Sequence, residues 1–383
     1  MKVLLALLLL YGVSLGLEHK LKANDIIPDK NESTGLPKTF RGRSGDYEKV
    51  PEDSSHVSPE TSLPTNNKPS NLGSKKTHME VNNATTVFLS SKISTVLIPG
   101  IYGIIVLVGV PSNAIVLWML FYRVRSVCST VLYTSLATSD LLFCLILPFK
   151  IAYHINGNNW IFGETMCQVA TIFLYGNMYC SIFLLMCISI NRYLAIVHPF
   201  LYRVLPKRTY AILMCALMWI IVVVYMIPFF ITKQTYYLKE LNIITCHDVY
   251  DISEDVFQFY YFMSLSIFGF LIPFFVVAFC YFSIIRSLAT NEHKRFCYVK
   301  ITILLFIIFA LCFTPSNVIL LVHQVRYHYS YRDDLYAMYL IALCLSSLNS
   351  CLDPFLYFLL SKKMNALPNF KTRNEAQAKL IYN

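Results

Sequence analysis

The stretch SLATSDLLFCLILPF, residues 135–149, combines two features that together decide the fold of this chain. It belongs to an apolar run over residues 131–154, a length that crosses the hydrocarbon core of a membrane as an α-helix. Asp140 stands in the middle of that run, where an ionisable side chain is costly unless it faces partners or water. The stretch therefore predicts a membrane helix that carries a candidate functional group at mid-depth.

Further apolar runs of similar length follow along the chain. Of its 383 residues, 56% are hydrophobic and only 14% are charged, which is far more apolar than an ordinary soluble domain. We predict an all-α membrane protein, a seven-transmembrane helix bundle, with spans at 94–121, 131–154, 167–191, 209–231, 256–286, 299–325 and 335–360.

The charges in the loops between the spans indicate the orientation of the bundle. Basic residues follow the first, third, fifth and seventh spans, and positively charged loops stay on the cytoplasmic side. Acidic residues occupy the alternate loops, which places the amino terminus outside. The net charge of +10 then reflects orientation beside anionic membrane lipid and is no argument for nucleic-acid binding.

The chain outside the bundle divides into a leader and two tails. Residues 1–16 combine a lysine, a short apolar run and small residues, a pattern typical of a secretory signal peptide. Residues 17–91 are polar and poor in apolar clusters, which predicts a disordered extracellular tail. That tail carries glycosylation sequons at Asn31 and Asn83. Residues 94–363 form the predicted bundle, and residues 364–383 form a short cytoplasmic tail.

Two of the 12 cysteines stand out because both face an oxidising compartment. Cys167 opens the predicted third span and Cys246 lies in the second outside loop, so the two could form a disulfide. Most other cysteines fall inside predicted spans, where cysteine behaves as a small buried hydrophobe.

Other polar residues lie at a depth comparable to that of Asp140. One interpretation is a water-filled cavity that holds a small cation such as sodium, and the other is a structural hydrogen-bond cluster. We expect no other cofactor and no structural metal. The residues of this candidate sodium site are Asn113, Asp140, Ser181, Asn349 and Asp353.

A set of motifs, in order along the seven spans, resembles the landmarks of rhodopsin-like G-protein-coupled receptors. The resemblance covers about residues 94–363 and implies a heterotrimeric G protein as partner. Two positions depart from the usual pattern: Asn191 replaces the common acid before Arg192, and Phe313 stands where a tryptophan is common. The landmarks are Asn113, Asp140, Cys167, Asn191-Arg192-Tyr193, Trp219, Pro273, Phe313-Thr314-Pro315 and Asp353-Pro354-Phe355-Leu356-Tyr357.

Residue types that are missing narrow the class of ligand. The seventh span contains no lysine, which excludes a retinal Schiff base, and the third contains no acid between Cys167 and Asn191, which argues against an amine ligand. Peptides, lipids or nucleotides remain. The segments TCHDVYDISED (245–255) and KIAYHINGNNWIFGE (150–164) resemble protease-activated receptors, the thrombin receptor group. That resemblance implies a role in haemostasis and blood coagulation.

In that family a serine protease cuts the extracellular tail, and the new amino terminus binds its own receptor as a tethered ligand. Pro37-Lys38 supplies a basic residue for a trypsin-like specificity pocket. Cleavage between Lys38 and Thr39 would remove residues 17–38 and leave 39–93 as the ligand-bearing tail, while Arg41 and Arg43 remain rival cleavage points. The proposed ligand is Thr39, Phe40, Arg41 and Gly42.

An acidic and aromatic run follows the predicted cleavage point. Acids with an embedded aromatic residue complement a basic, partly apolar exosite on thrombin or a similar protease. An ordinary charged tail is the alternative interpretation of the same residues. The predicted protease-docking residues are Asp46, Tyr47, Glu48, Glu52 and Asp53.

The resemblance also implies where the ligand binds and how the bundle responds. Acids of the second outside loop offer partners for the cationic ligand, and aromatic residues at the outer ends of the sixth and seventh spans offer a pocket for Phe40. The predicted ligand-pocket residues are His247, Asp248, His323, Tyr336 and Tyr339. The predicted switch and G-protein-coupling residues are Asn191, Arg192, Tyr193, Phe313, Pro315, Asp353, Pro354 and Tyr357.

Other classes of function fit the sequence less well. No HExxH or repeated half-sequence is present, and the GxSxG match GVSLG at 12–16 lies within the predicted signal peptide; this argues against a metalloprotease, a serine hydrolase or a transporter, so we expect no enzyme. A second interpretation is a protease-docking cofactor for a neighbouring receptor, in a hetero-oligomer of related receptors, with little signalling of its own. The short tail after residue 363 is consistent with it.

Overall fold

A computed structural model of the protein describes residues 41–44, 78–80, 83–123, 127–238, 241–247, 250–251, 255–289, 296–330 and 335–364. Its strands are β1 (Arg41–Ser44), β2 (His78–Glu80), β3 (Thr235–Leu238), β4 (Ile243–Cys246) and β5 (Tyr250–Asp251). Its α-helices are α1 (Asn83–Leu89), α2 (Ile98–Arg123), α3 (Val127–Ile155), α4 (Gly163–Val197), α5 (Pro199–Val204), α6 (Lys207–Ile231), α7 (Asp255–Ser266), α8 (Ile272–Ala289), α9 (Phe296–Ser330), α10 (Tyr336–Ser347) and α11 (Asn349–Met364).

Seven helical segments within these ranges are long and apolar enough to cross a membrane, which confirms the predicted number. The fifth combines α7 and α8 through a π-helical turn, and the seventh combines α10 and α11 across a break. We name the segments the first to seventh membrane helices: Ile93–Tyr122, Thr130–Ile155, Gly163–Val197, Lys207–Ile231, Phe259–Leu288, Thr302–Arg326 and Ala337–Phe355.

The third membrane helix extends beyond the predicted span at both ends. The prediction of 167–191 followed the apolar residues, whereas the helix runs from Gly163 to Val197. Its outer end begins at Gly163, whose φ is 78°, and its inner end stops before His198, which directly precedes a proline. The first turn, GETM, is partly polar, and the polar pair Arg192-Tyr193 follows the predicted end at 191, so the apolar run stops short of both helix ends.

Besides the first membrane helix, which begins with the π-helical turn Ile93–Leu97, two membrane helices contain local departures from regular α-helix. The fifth carries a π-helical turn at Ile267–Leu271, immediately before Pro273. The seventh breaks at Leu348, between α10 and α11, where the predicted span of 335–360 was continuous. Such irregular turns concentrate at sites where a helix bends or carries function, and both flank the polar interior described below.

Glycines permit close packing at two helix contacts. A Cβ atom on Gly109 of the first helix would lie 2.8 Å from Cys144 Sγ of the second. A Cβ atom on Gly269 would lie 2.8 Å from the ring of Tyr179 on the third helix. Small residues at such contacts bring helices together, because van der Waals packing drives helix association in lipid.

A five-stranded sheet covers the outer end of the bundle, in the order β4-β3-β2-β1-β5. Strands β3 and β4 form an antiparallel hairpin of the second outside loop, with Tyr236 opposite Thr245. Strands β1 and β2 come from the amino-terminal tail, which the sequence predicts to be disordered. Strands β1 and β2 pair with each other and with strands of the second outside loop through backbone groups, which depend little on side-chain type. The low hydrophobicity of the tail does not predict this strand pairing.

Candidate functional site

A hydrogen-bonded group that we call the outer cluster lies beneath the hairpin. Its members are Tyr175 of the third helix, Tyr339 of the seventh, His247 after β4, and Gln234 before β3. All four are buried, and Tyr175 also stacks on Phe229 of the fourth helix with ring centroids 4.9 Å apart. The cluster therefore joins the second outside loop to three membrane helices.

The hydrogen bonds of the outer cluster run in one direction. Tyr339 Oη donates to Tyr175 Oη at 2.8 Å, and Tyr175 Oη lies 2.9 Å from His247 Nε2. His247 Nδ1 lies 2.8 Å from Gln234 Oε1, an acceptor, which assigns the proton of the neutral ring to Nδ1. Nε2 is then free to accept from Tyr175. A contact with the loop at His247 is thus linked to the third and seventh helices through two hydrogen bonds.

Two attachments hold the hairpin over this cluster. A disulfide joins Cys167 to Cys246 with a Cα–Cα distance of 5.7 Å, as the sequence predicts. The Glu164 carboxylate accepts from the backbone N–H groups of Gln234, at 2.6 Å, and Thr235, at 3.0 Å, and also from the Thr235 hydroxyl. Charge-assisted bonds of this kind are about twice as strong as neutral ones, so the loop is fixed at both of its strands.

The structure brings together two of the five predicted ligand-pocket residues, His247 and Tyr339. His323 lies half-buried in the outer part of the sixth helix. Tyr336 begins α10, and Asp248 lies outside the described residues.

The protonation of His247 makes the outer end of the bundle sensitive to acid. Burial lowers the pKa of His247 well below its ordinary value, and the positive charge of Lys150 lowers it further. The ring is therefore neutral when folded but takes up a proton in the unfolded chain below about pH 6.5. Stability is present above that pH and is lost as the pH falls below it, because the unfolded state binds more protons there.

We expect the melting temperature of the purified protein to fall between pH 7.5 and pH 5.5 by several degrees. His247→Asn should flatten this dependence, since asparagine tolerates the left-handed backbone at φ 71° and does not titrate. Thermal unfolding at the two pH values measures the effect. An equal fall in the variant and the parent would show that other groups carry the acid sensitivity.

A second polar group, which we call the central cluster, lies between the first, second, third and seventh helices. Asp140 Oδ1 accepts from Asn177 Nδ2 and from Ser350 Oγ, both at 2.9 Å. Asn349 Nδ2 donates to Asp353 Oδ2 at 2.7 Å, and Asn113 Nδ2 donates to the Ser350 carbonyl at 2.8 Å. The predicted hydrogen-bond cluster is therefore present.

The central cluster also contains unused acceptors. All five residues of the candidate sodium site have a buried oxygen that makes no hydrogen bond within the described part of the chain: Asn113 Oδ1, Asp140 Oδ2, Ser181 Oγ, Asn349 Oδ1 and Asp353 Oδ1. Two of these oxygens belong to carboxyl groups. A hard cation prefers oxygen ligands, so the donor set fits such an ion.

A third group, the cytoplasmic cluster, surrounds the predicted coupling residues. Arg192 Nη2 donates a short hydrogen bond to the Tyr133 hydroxyl of the second helix. The Tyr133 ring packs edge-on against Tyr357, with centroids 5.3 Å apart, and Tyr357 is buried. Tyr193 Oη lies 2.9 Å from His198 Nε2, and its ring is 5.6 Å from Phe279 of the fifth helix.

The predicted switch residues of the sixth helix lie between the outer and cytoplasmic clusters. Phe313 is fully buried and packs against Phe309 with centroids 5.3 Å apart. Pro315 lies inside the helix, and Asn317, two residues later, accepts from Tyr179 Oη of the third helix at 3.1 Å. The helical hydrogen bond that Pro315 removes thus lies close to the Tyr179–Asn317 contact between the third and sixth helices.

Sequence reasoning missed several residues that complete these clusters. Tyr175, Asn177, Ser350 and Tyr133 are ordinary aromatic or polar residues of apolar spans, where packing is the usual role. Glu164 is one of the loop acids that indicate the orientation of the bundle, and its charge alone predicts no contact with the hairpin. Helical spacing offered one signal, because Asn177 lies four residues before Ser181 on the same face.

Several predicted site residues lie outside the described part of the chain. They are the cleavage pair Lys38 and Thr39, the ligand residue Phe40, the docking residues Asp46, Tyr47, Glu48, Glu52 and Asp53, and the sequon at Asn31. The ligand residues Arg41 and Gly42 form part of β1, and Asn83 begins α1.

Comparison with known proteins gives consistent matches. Residues 112–357 match the family described as 7 transmembrane receptor (rhodopsin family). The chain is 59% identical to proteinase-activated receptor 3 of Homo sapiens over 298 residues, which cover 77% of this chain and 80% of that protein. It is 55% identical to proteinase-activated receptor 3 of Rattus norvegicus over 76% of this chain and 80% of that protein. For proteinase-activated receptor 2 of Bos taurus the identity is 41%, over 75% and 74%.

Proposed function

Since the chain belongs to the rhodopsin family of seven-transmembrane receptors and, within it, to the proteinase-activated receptors, we propose that thrombin or a similar serine protease activates it by cutting between Lys38 and Thr39. The new amino terminus, beginning Thr39-Phe40-Arg41-Gly42, then acts as the tethered ligand. The chain is similar to proteinase-activated receptor 3 of three species. Four of its motifs also favour that subtype: LPKTFRG, GNNWIFGE, YGNMYCSIF and SLNSCLDPFLYFL.

Family membership establishes the general activity. The chain is a multi-pass plasma-membrane receptor that responds to proteolysis and has a G protein as partner, and it is not an enzyme. The specific protease, the cleaved bond and the ligand residues are our proposal.

The observation that carries the proposal is the hydrogen-bonded outer cluster. A ligand that binds the second outside loop can influence the cell only by shifting an equilibrium between two states of the bundle. His247 of that loop is joined to Tyr175 on the third helix, and through it to Tyr339 on the seventh. A movement of His247 on ligand binding therefore alters the hydrogen bonds of Tyr175 on the third helix and Tyr339 on the seventh.

A tethered ligand suits this kind of site because the tether keeps the ligand at a high local concentration, so that it does not need a high affinity. Were none of it paired, the tail between Thr39 and the first helix would have a reach of roughly 40 Å, enough to return to the outer face of the bundle. Such a tether gives an effective concentration on the order of millimolar, so a weak ligand would fill its site. Activation is then controlled by cleavage and is irreversible.

The response that we propose is an outward movement of the sixth helix about Pro315. In the described state Tyr357 is buried against Tyr133, and Arg192 is bound to the Tyr133 hydroxyl. Opening the cytoplasmic cluster would release Arg192 and Tyr357 to contact a heterotrimeric G protein.

Amino-terminal sequencing of the receptor after thrombin treatment, combined with calcium recording from the same cells, tests the proposal. We expect a new terminus at Thr39 and a calcium signal that a soluble peptide with the same first residues reproduces. Cleavage at Arg41, or a calcium signal without any cleavage, would contradict it. Cleavage at Lys38 without a signal would instead favour the docking-cofactor function.

We propose further that a sodium ion binds the central cluster. Asn113, Asp140, Ser181, Asn349 and Asp353 would hold it, and the ion would neutralise the paired carboxyl groups of the second and seventh helices. These side chains come from four helices, so binding would favour the packing of the described state.

We expect sodium chloride to raise the melting temperature of the purified receptor relative to choline chloride at equal ionic strength. A tenfold excess over the dissociation constant stabilises by about 1.4 kcal/mol, or roughly 2–3 °C for a protein of this size. Asp140→Asn should abolish the difference between the salts, whereas Glu164→Gln, an acid outside the cluster, should keep it. Identical melting in the two salts would exclude the ion.

A further inference from the structure

The hairpin of the second outside loop is a fixed platform with an edge available for pairing. The disulfide from Cys246 and the three hydrogen bonds to Glu164 hold it against the third helix. Within the hairpin, β3 pairs with β4 along one side only. The other side of β3 presents unpaired backbone groups unless a further strand covers it.

The end of the tail covers that edge from a second fixed point. Phe88 and Leu89 of α1 are buried in the core of the bundle. Asn158 of the first outside loop donates to the Leu89 carbonyl at 2.6 Å and to Ser94 Oγ at 2.9 Å. Because α1 begins three residues after Glu80, this anchor also positions β2, which lies parallel to β3.

Strand β1 lies between two partners, so both of its edges are paired. Arg43 and Ser44 are antiparallel partners of Glu80 and Met79 in β2. Arg41 and Gly42 are parallel partners of Tyr250 and Asp251 in β5.

We propose that the uncut receptor stores its own ligand in this sheet. The inference rests on the proposed function, because it takes Arg41 and Gly42 as ligand residues. Cleavage between Lys38 and Thr39 lies two residues before β1 and leaves its pairing intact. The new terminus, Thr39-Phe40, then spans about 7 Å from a strand already held at the second outside loop.

This arrangement changes what cleavage has to accomplish. A tail that moved freely would have to search the outer face of the bundle after each cut. If β1 is already held in the sheet, only the two residues before it have to find their site on the bundle. The strand that occupies the sheet is part of the receptor's own chain. Activation then requires release of a short terminus and no transfer of the tail.

Cysteine pairs in the full-length receptor test this proposal at the cell surface. Residues 17–91 contain no cysteine, so introduced pairs have no competing thiol in the tail. The in-register pairs are Arg43→Cys with Glu80→Cys, and Ser44→Cys with Met79→Cys. Neighbouring pairs of an antiparallel ladder alternate between Cα distances of about 5.5 and 4.5 Å, both within the range of a disulfide.

The matched control is the crossed pair Arg43→Cys with Met79→Cys. It has the same tether and nearly the same sequence separation, but successive side chains of a strand point to opposite faces. Each variant carries an epitope at residue 17 and a site for a sequence-specific protease near residue 62. After mild oxidation and cutting at that site, the epitope stays on the cell only if the disulfide has formed, and a reductant releases it.

We expect at least one in-register pair to retain the epitope about fivefold more than the crossed pair. Adding Gly42→Pro to that pair should lower retention to the crossed level, because proline removes a backbone donor from β1. Equal retention in all pairs, with equal surface expression, would overturn the proposal. The calcium response of the unsubstituted receptor tests the proposed function separately, because the cross-link does not depend on signalling.

Discussion

Replacing Lys38 with glutamine should reduce the response of the receptor to thrombin at least about 30-fold. The proposed mechanism places the lysine ammonium against a buried carboxylate in the specificity pocket of the protease. Removing one partner of such a pair costs about 2–5 kcal/mol, which corresponds to a factor of about 30 or more. Calcium recording against protease concentration, in cells with matched surface expression, measures the loss.

Two controls separate cleavage from ligand action in this experiment. Arg43→Gln removes a positive charge five residues away and should leave cleavage at Lys38 unchanged. A soluble peptide beginning at Thr39 should activate the Lys38→Gln receptor as well as the parent, because the bundle is intact. A Lys38→Gln receptor that is cut at Arg41 and still responds fully to the protease would refute the proposed ligand.

The number of membrane helices followed from hydrophobic length, and several site residues followed from their cost in lipid. Asp140 and Asp353 are acids inside apolar spans, and the structure places both in the central cluster. Cys167 and Cys246 are the pair facing an oxidising compartment, and they form a disulfide. Each of these residues is chemically out of place in its surroundings. That made them visible in a single sequence.

The residues that connect the clusters could not be predicted in the same way. Tyr175 and Tyr133 look like ordinary aromatic residues of membrane helices, and only the packing shows that each bridges two other site residues. The pairing of β1 with β2 and β5 depends on backbone groups, which every residue other than proline carries. A hydropathy pattern therefore predicts which segments are buried but not which polar groups meet.

Replacing Arg192 with alanine should lower G-protein activation by the cleaved receptor at least about tenfold, without loss of surface expression. The guanidinium group presents five donors in a fixed geometry, so Arg192→Lys should recover only part of the activity. Nucleotide exchange on a purified G protein measures the effect, because it is read directly after the receptor. Undiminished exchange with the alanine variant would contradict the role that we propose for Arg192.

Substitution of Tyr133, the hydrogen-bond partner of Arg192, should raise receptor activity where substitution of Arg192 lowers it. This tests the role of the cytoplasmic cluster in holding the inactive state. Tyr133→Phe keeps the ring beside Tyr357 but removes the hydroxyl that accepts from Arg192. A hydrogen bond to a charged group contributes about 1.5–3 kcal/mol, so its loss should raise activity without protease by about tenfold or more. Tyr122→Phe, at an exposed tyrosine of the first helix, is the matched control and should leave basal activity unchanged. If Tyr133→Phe left basal activity at the parent level, the Arg192–Tyr133 bond would not restrain the bundle.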